Sequence, residues 1–114
     1  MKSTEKMVEI LILNLKPGTR DEFQRVYTAE SYPIQLKWKI SVIAYGPSQH
    51  DENSFYVIRA FKSLEDRIKT EDAFYGSDDW QKGPRSAMLG MIESSAYAVV
   101  NADAIQGWLE RIKK

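Results

Sequence analysis

Arg59 is the residue of this chain whose type and place most invite chemistry. By strand alternation it shares a face with Phe55, Val57 and Phe61, so a guanidinium that stays charged at any ordinary pH is carried onto an apolar surface. Stranding such a charge costs several kcal/mol, so it needs a partner. In one reading that partner is Glu71 or Asp72, one of which interrupts the apolar stripe between Ile68 and Tyr75, and the pair ties helix to sheet. In the other, Arg59 is the floor of an anion site for a ligand carboxylate or phosphate. The structural pair is the first expectation, because ion-pair networks perturb charges just as functional sites do.

Tyr75 and Trp80 flank a break between helical segments, where packing is least regular. With Arg59 they are expected to line a cleft between helices and sheet, suited to a small aromatic or acyl-acid ligand. Arg85, after Gly83-Pro84, is either a second positive group near a helix start or plain surface charge. Arg67 and Glu71, four apart, read as an exposed pair worth about 0.3 kcal/mol. His50 is the only histidine and lies in the polar turn 47–53. It reads as a solvated loop residue, with haem ligation the alternative if that turn reached a pocket. There is no cysteine, so no thiolate site is available, and neither metal nor cofactor is expected. Nothing has the pattern of a nucleophile elbow, a phosphate loop or a metal-binding helix.

The composition narrows the remaining classes. Sixteen basic residues balance sixteen acidic ones, with no basic tract interleaved with aromatics, which argues against nucleic acid as a partner. The apolar stretch from Val8 to Leu15 is interrupted by Glu9 and Asn14 and is not followed by a cleavage site, so a cytoplasmic protein with no membrane span is expected. A length of 114 residues fits a single domain, 1–114.

The elements that must position these residues follow from periodicity. Met7 to Leu15 is a strand apolar on both faces. Thr19 and Glu22 have the spacing of a capping box, opening a helix with Phe23, Val26 and Tyr27 on its apolar stripe and fraying before Pro33. Strands are expected over Trp38 to Gly46, Ser54 to Phe61 and Ser95 to Val100. Ser63 caps a second helix with Leu64, Ile68 and Tyr75 on its apolar side, ended by Gly76. Ser77 caps a short helix, Pro84 starts another reaching about Ile92, and Asp103 caps a final one with Ile105, Trp108, Leu109 and Ile112 as its buried stripe. The order β-α-β-β-α-β plus a terminal helix is the ferredoxin-like α+β arrangement. Its helices cover one face of a four-stranded antiparallel sheet, and strands apolar on both faces call for a second copy on the other, a homodimer.

Between Asn53 and Ile92 stand Phe55-Tyr56-Val57-Ile58-Arg59-Ala60-Phe61, Ser63-Leu64 with Arg67, Asp72-Ala73-Phe74-Tyr75-Gly76-Ser77 with Trp80, and Gly83-Pro84-Arg85. In this order and spacing the stretch resembles the NIPSNAP family, of the dimeric α+β barrel superfamily. The resemblance implies the dimeric barrel and little chemistry. Related barrels include cofactor-independent monooxygenases and haem-degrading enzymes. The functional expectation is a small-molecule-binding or scaffold dimer with a pocket between sheet and helices, the alternative a cofactor-independent monooxygenase-like enzyme. A pure protein-interaction module is the third class.

Overall fold

The computed structural model describes residues 6–112, without the side chains of residues 108–110. Four antiparallel strands, β1 (Met7–Leu15), β2 (Ser41–Pro47), β3 (Ser54–Phe61) and β4 (Ile92–Asn101), form one sheet in the order β2-β3-β1-β4. Six α-helices accompany them among the described residues: α1 (Arg20–Val26), α2 (Tyr32–Lys37), α3 (Leu64–Tyr75), α4 (Asp78–Gln81), α5 (Arg85–Met91) and α6 (Ala102–Ile112). This is the ferredoxin-like α+β order with an added terminal helix. No helix among the described residues is long and apolar enough to cross a membrane.

The register decides which side chains meet the helices. Opposite one another in β1 and β3 stand Leu13 and Phe55, Leu11 and Val57, and Glu9 and Arg59. This set faces the helix layer, where Leu13, Phe55 and Val57 join Phe23, Val26, Tyr27, Phe74, Trp80 and Met88 in one buried cluster. Full burial of Phe23, Phe55 or Phe74 is worth about 1.5–3 kcal/mol each. The alternate residues Ile10, Ile12, Tyr56 and Ile58 point to the opposite face. Ile12 there remains 43% exposed.

Several local expectations are corrected. Thr19 makes no capping hydrogen bond to the helix, its hydroxyl donating instead to the Lys16 carbonyl at 2.7 Å, and Glu22 pairs with Arg25. The first helix does not fray before Pro33. A π-helical turn, Tyr27–Ser31, joins α1 to α2, and Pro33 stands in the first turn of α2. The wider turn shifts the hydrogen-bond register just where proline offers no N–H, and the chain continues helical. The second strand accordingly starts at Ser41, because Trp38 and Lys39 close α2. Lys39 has φ 63°, with Lys39 N–H bonded to Leu36 O and Ile40 N–H to Gln35 O. That pair of bonds is a Schellman closure with lysine in the left-handed position usually held by glycine.

Of the stripe expected on α3, Tyr75 faces inward but Leu64 and Ile68 do not. Leu64 and Ile68 are exposed at 52% and 57%, while Arg67, Glu71, Phe74 and Tyr75 are the side chains directed inward. The charged pair faces the sheet because Glu9 and Arg59 are there to meet it. Ser63 and Ser77 cap their helices as their types suggest, accepting from Asp66 N–H and Trp80 N–H. Asn101, not Asp103, supplies the side-chain acceptor at the start of α6, and Ile112 is exposed. The side chains of Trp108 and Leu109, placed on the buried stripe of that helix, lie outside the described residues.

Candidate functional site

The charged centre of the molecule is a closed ring of four side chains. Arg59 of β3 donates from Nε and Nη2 to Glu9 Oε1 of β1 at 2.8 and 2.6 Å, and from Nη2 to Glu71 Oε2 of α3 at 3.1 Å. Arg67 closes the ring, with Nη2 at 2.8 Å from Glu9 Oε2 and 3.4 Å from Glu71 Oε1. The remaining Arg59 group, Nη1, donates to Gln35 Oε1 at 3.1 Å and to the Tyr75 hydroxyl at 2.9 Å. A guanidinium has five N–H groups, and here all five are engaged inside the protein. Arg59 is therefore saturated and offers no further donor to a ligand anion.

Two guanidiniums face two carboxyls in a site where Arg59 and Glu9 are 3% and 2% exposed. Burial alone would raise the Glu9 carboxyl, but a hydrogen bond with Glu71 and the Arg59 and Arg67 charges hold it below the usual range. Glu71 moves the other way. Burial and the hydrogen bond to Glu9 push it up to about 7, against the pull of both arginines. Below about pH 7 the two carboxyls therefore hold one proton between them, and above it both are charged. Burial would lower Arg59, but Tyr75 and Glu9 more than offset it, so its charge is fixed.

Beside this ring lies a cavity of about 250 Å³ between sheet and helices. Leu11, Leu13, Val57 and Ile92 give its sheet wall, and Trp80, Met88 and Leu89 of the helices the opposite one. Its polar side is Arg59, Gln35, Tyr27, Ser31 and Tyr75, with Ser95 also lining it. Gln35 is oriented by its neighbours. Its Oε1 accepts from Arg59, which can only donate, so Nε2 turns to the Tyr27 hydroxyl at 3.0 Å and to Ser31 Oγ at 3.1 Å. Burial raises both phenols, Tyr27 and Tyr75, above their ordinary value, so both stay protonated. The π-helical turn brings Tyr27 and Ser31 into line with Gln35, and α3 ends at Tyr75 against Trp80, with ring centroids 5.3 Å apart.

Of the residues singled out in the sequence, Arg59, Tyr75 and Trp80 come together on this cavity, while Arg85 is exposed and does not line it. Glu71 bonds Arg59, whereas Asp72 is turned to solvent on the outer side of α3 and takes no part. Arg67 and Glu71 are not the exposed pair expected, since both belong to the half-buried ring. His50 is exposed in its turn, between Ser48 Oγ at 2.6 Å and Asp51 Oδ2 at 3.0 Å. Sequence reasoning missed Glu9, the strongest partner of Arg59. The signal was present: each of two apolar strands carries one mid-strand charge of opposite sign, and antiparallel pairing sets them face to face.

Comparison with known proteins agrees with this fold. The family model for NIPSNAP matches residues 8–103. A search of curated proteins returned no significant match. Among solved structures, a NIPSNAP-like domain protein from Burkholderia xenovorans superposes with a TM-score of 0.78 at 20% identity, covering 85% of this chain and 84% of that one. A NIPSNAP family protein of unknown function from Agrobacterium tumefaciens gives 0.78 at 22% identity, covering 86% and 88%. A candidate antibiotic biosynthesis monooxygenase from Caulobacter crescentus gives 0.65 at 14% identity, covering 88% and 92%, a likeness of fold alone. With the family pattern running from β1 to the start of α6, the chain belongs to the NIPSNAP family.

Proposed function

We propose that this NIPSNAP protein is a homodimer whose 114 residues act as one domain and bind a small aromatic or acyl compound between sheet and helices. The observation that carries the binding role is the cavity of about 250 Å³, apolar on two sides and polar on one. A cavity of about 150 Å³ accepts benzene, so this one is sized for a ring with a short substituent. The dimer is supported by the outer face of the sheet, where Ile10, Ile12, Ile58, Ala96 and Ala98 stand without a covering layer of helices from α1 to α5. A second copy laid on that face would bury it. The same reading puts the protein in the cytoplasm, which cell fractionation tests.

Thermal denaturation against a library of aromatic and acyl compounds tests the binding role. At least one compound should raise the melting temperature. Replacing Leu89 by Trp, to fill the cavity mouth, should abolish that rise. Sedimentation tests the dimer, and a stable species of 13.1 kDa at micromolar concentration would defeat it.

The alternative is a cofactor-independent monooxygenase-like enzyme, favoured by the likeness of fold to the Caulobacter crescentus protein. Such an enzyme needs a group that takes a proton from its substrate. The ionisable residues lining the cavity are Arg59, Tyr27 and Tyr75, and all three hold their protons at neutral pH. That weighs toward binding. Oxygen uptake with an electron-rich phenol would reverse the choice.

A further inference from the structure

The polar side of the cavity is one-sided in its chemistry. Tyr75 accepts a hydrogen bond from Arg59 at 2.9 Å, and Tyr27 and Ser31 accept from the two N–H groups of Gln35 at 3.0 and 3.1 Å. Each hydroxyl thus has its oxygen occupied by a donor. Among the described residues no protein acceptor takes the proton of any of the three. Gln35 and Arg59, which could otherwise bind a polar ligand by donation, have spent every N–H within the protein. What remains for an occupant is a set of three hydroxyl donors.

Resting on the binding role proposed above, we infer that the cavity takes a neutral molecule through a carbonyl-type acceptor, held by the hydroxyls of Tyr27, Ser31 and Tyr75. Charge decides between a ketone-like head and a carboxylate. Arg59, the cation that lines the cavity, spends every N–H on Glu9, Glu71, Gln35 and Tyr75, so no free cationic donor faces an occupant. A carboxylate would be desolvated there against saturated donors, a cost that three neutral hydroxyls do not offset. A carbonyl has the same need for donors without that cost. The apolar walls, Leu13, Val57, Trp80 and Met88, suit the aromatic or aliphatic body behind it.

The test uses three probes of one size, acetophenone, ethylbenzene and benzoate, titrated into the intact protein. Acetophenone should bind at least about tenfold more tightly than benzoate, and Tyr27→Phe and Tyr75→Phe should each weaken it about fivefold while ethylbenzene is not weakened, as loss of one neutral hydrogen bond predicts. Because Tyr75→Phe also removes a partner of Arg59, the parent protein carries an independent readout. The infrared carbonyl band of bound acetophenone should lie below its position in hydrocarbon solvent. Tighter binding of benzoate, or a carbonyl band at its hydrocarbon position, overturns the inference while leaving the cavity a binding site. Failure of all three probes to bind overturns the binding role itself, and the inference with it.

Discussion

Replacing Arg59 by Met removes the one side chain that joins β1, β3, α2 and α3, and the cost follows from what it leaves behind. Five hydrogen bonds go at once, to Glu9, Gln35, Tyr75 and Glu71. Glu9, 2% exposed, keeps only Arg67 on its other oxygen at 2.8 Å, and two buried carboxyls then share one guanidinium. Breaking a buried pair from one side costs about 3–5 kcal/mol. The lower end applies here, because the surplus carboxyl can take up a proton. That escape makes the loss depend on pH. Glu71, already raised to about 7, is raised further in the variant. A carboxyl with a raised folded value contributes stability that is whole below its unfolded value and lost as pH rises through the folded one. The variant should therefore lose about 3 kcal/mol at pH 6 and more at pH 8, measured by urea denaturation at both. Adding Glu9→Gln should restore part of the loss and most of the excess at pH 8. A Met variant as stable as the parent at both pH values would refute the ring as a structural tie.

Other consequences are simpler. In the parent, Glu71 should make stability fall as pH climbs from about 4.5 through 7, and Glu71→Gln should flatten that slope in urea denaturation across this range. Glu9, whose folded value is lowered, acts in the separate window below 4.5, where stability falls as pH falls. Gly83→Ala should cost about 1–3 kcal/mol by thermal denaturation, since an added Cβ would stand 2.3 Å from the Asp79 carbonyl oxygen. Lys39→Gly should gain about 0.5–1 kcal/mol by the same measurement, as the left-handed backbone at φ 63° suits glycine better than lysine.

Much of the architecture was legible because it is written in short-range patterns. The alternation of Met7 to Leu15 and Ser54 to Phe61 gave both central strands with the bounds observed, and the serine caps at 63 and 77 gave two helix starts. What failed depends on a neighbour. Thr19 has the right spacing to Glu22 for a capping box, yet Lys16 offers its carbonyl and Arg25 takes the glutamate. Pro33 is a helix breaker only if the register before it is α, and the π-helical turn removes that condition. The cavity was legible in part, through Arg59, Tyr75 and Trp80. Tyr27, Ser31 and Gln35 were not, since their grouping depends on that same π-helical turn.

The inward face of α3 shows how one buried charge reorganises what surrounds it. Ranked by apolar content, α3 should present Leu64 and Ile68 inward. Instead it presents Arg67 and Glu71, and the two apolar residues stand more than half exposed. Burying that pair of side chains would favour the expected orientation by about 1.5–3 kcal/mol each. The opposing requirement is larger, since Glu9 and Arg59 without α3 would lose Arg67, Glu71 and Tyr75 together, and a single broken buried pair costs about as much as both apolar residues gain. Charge on the sheet therefore fixes which way α3 faces. That choice in turn sets Tyr75 beside Arg59 and turns its hydroxyl into a donor on the cavity. The same ring that closes Arg59 to anions is what leaves the cavity a wall of neutral donors.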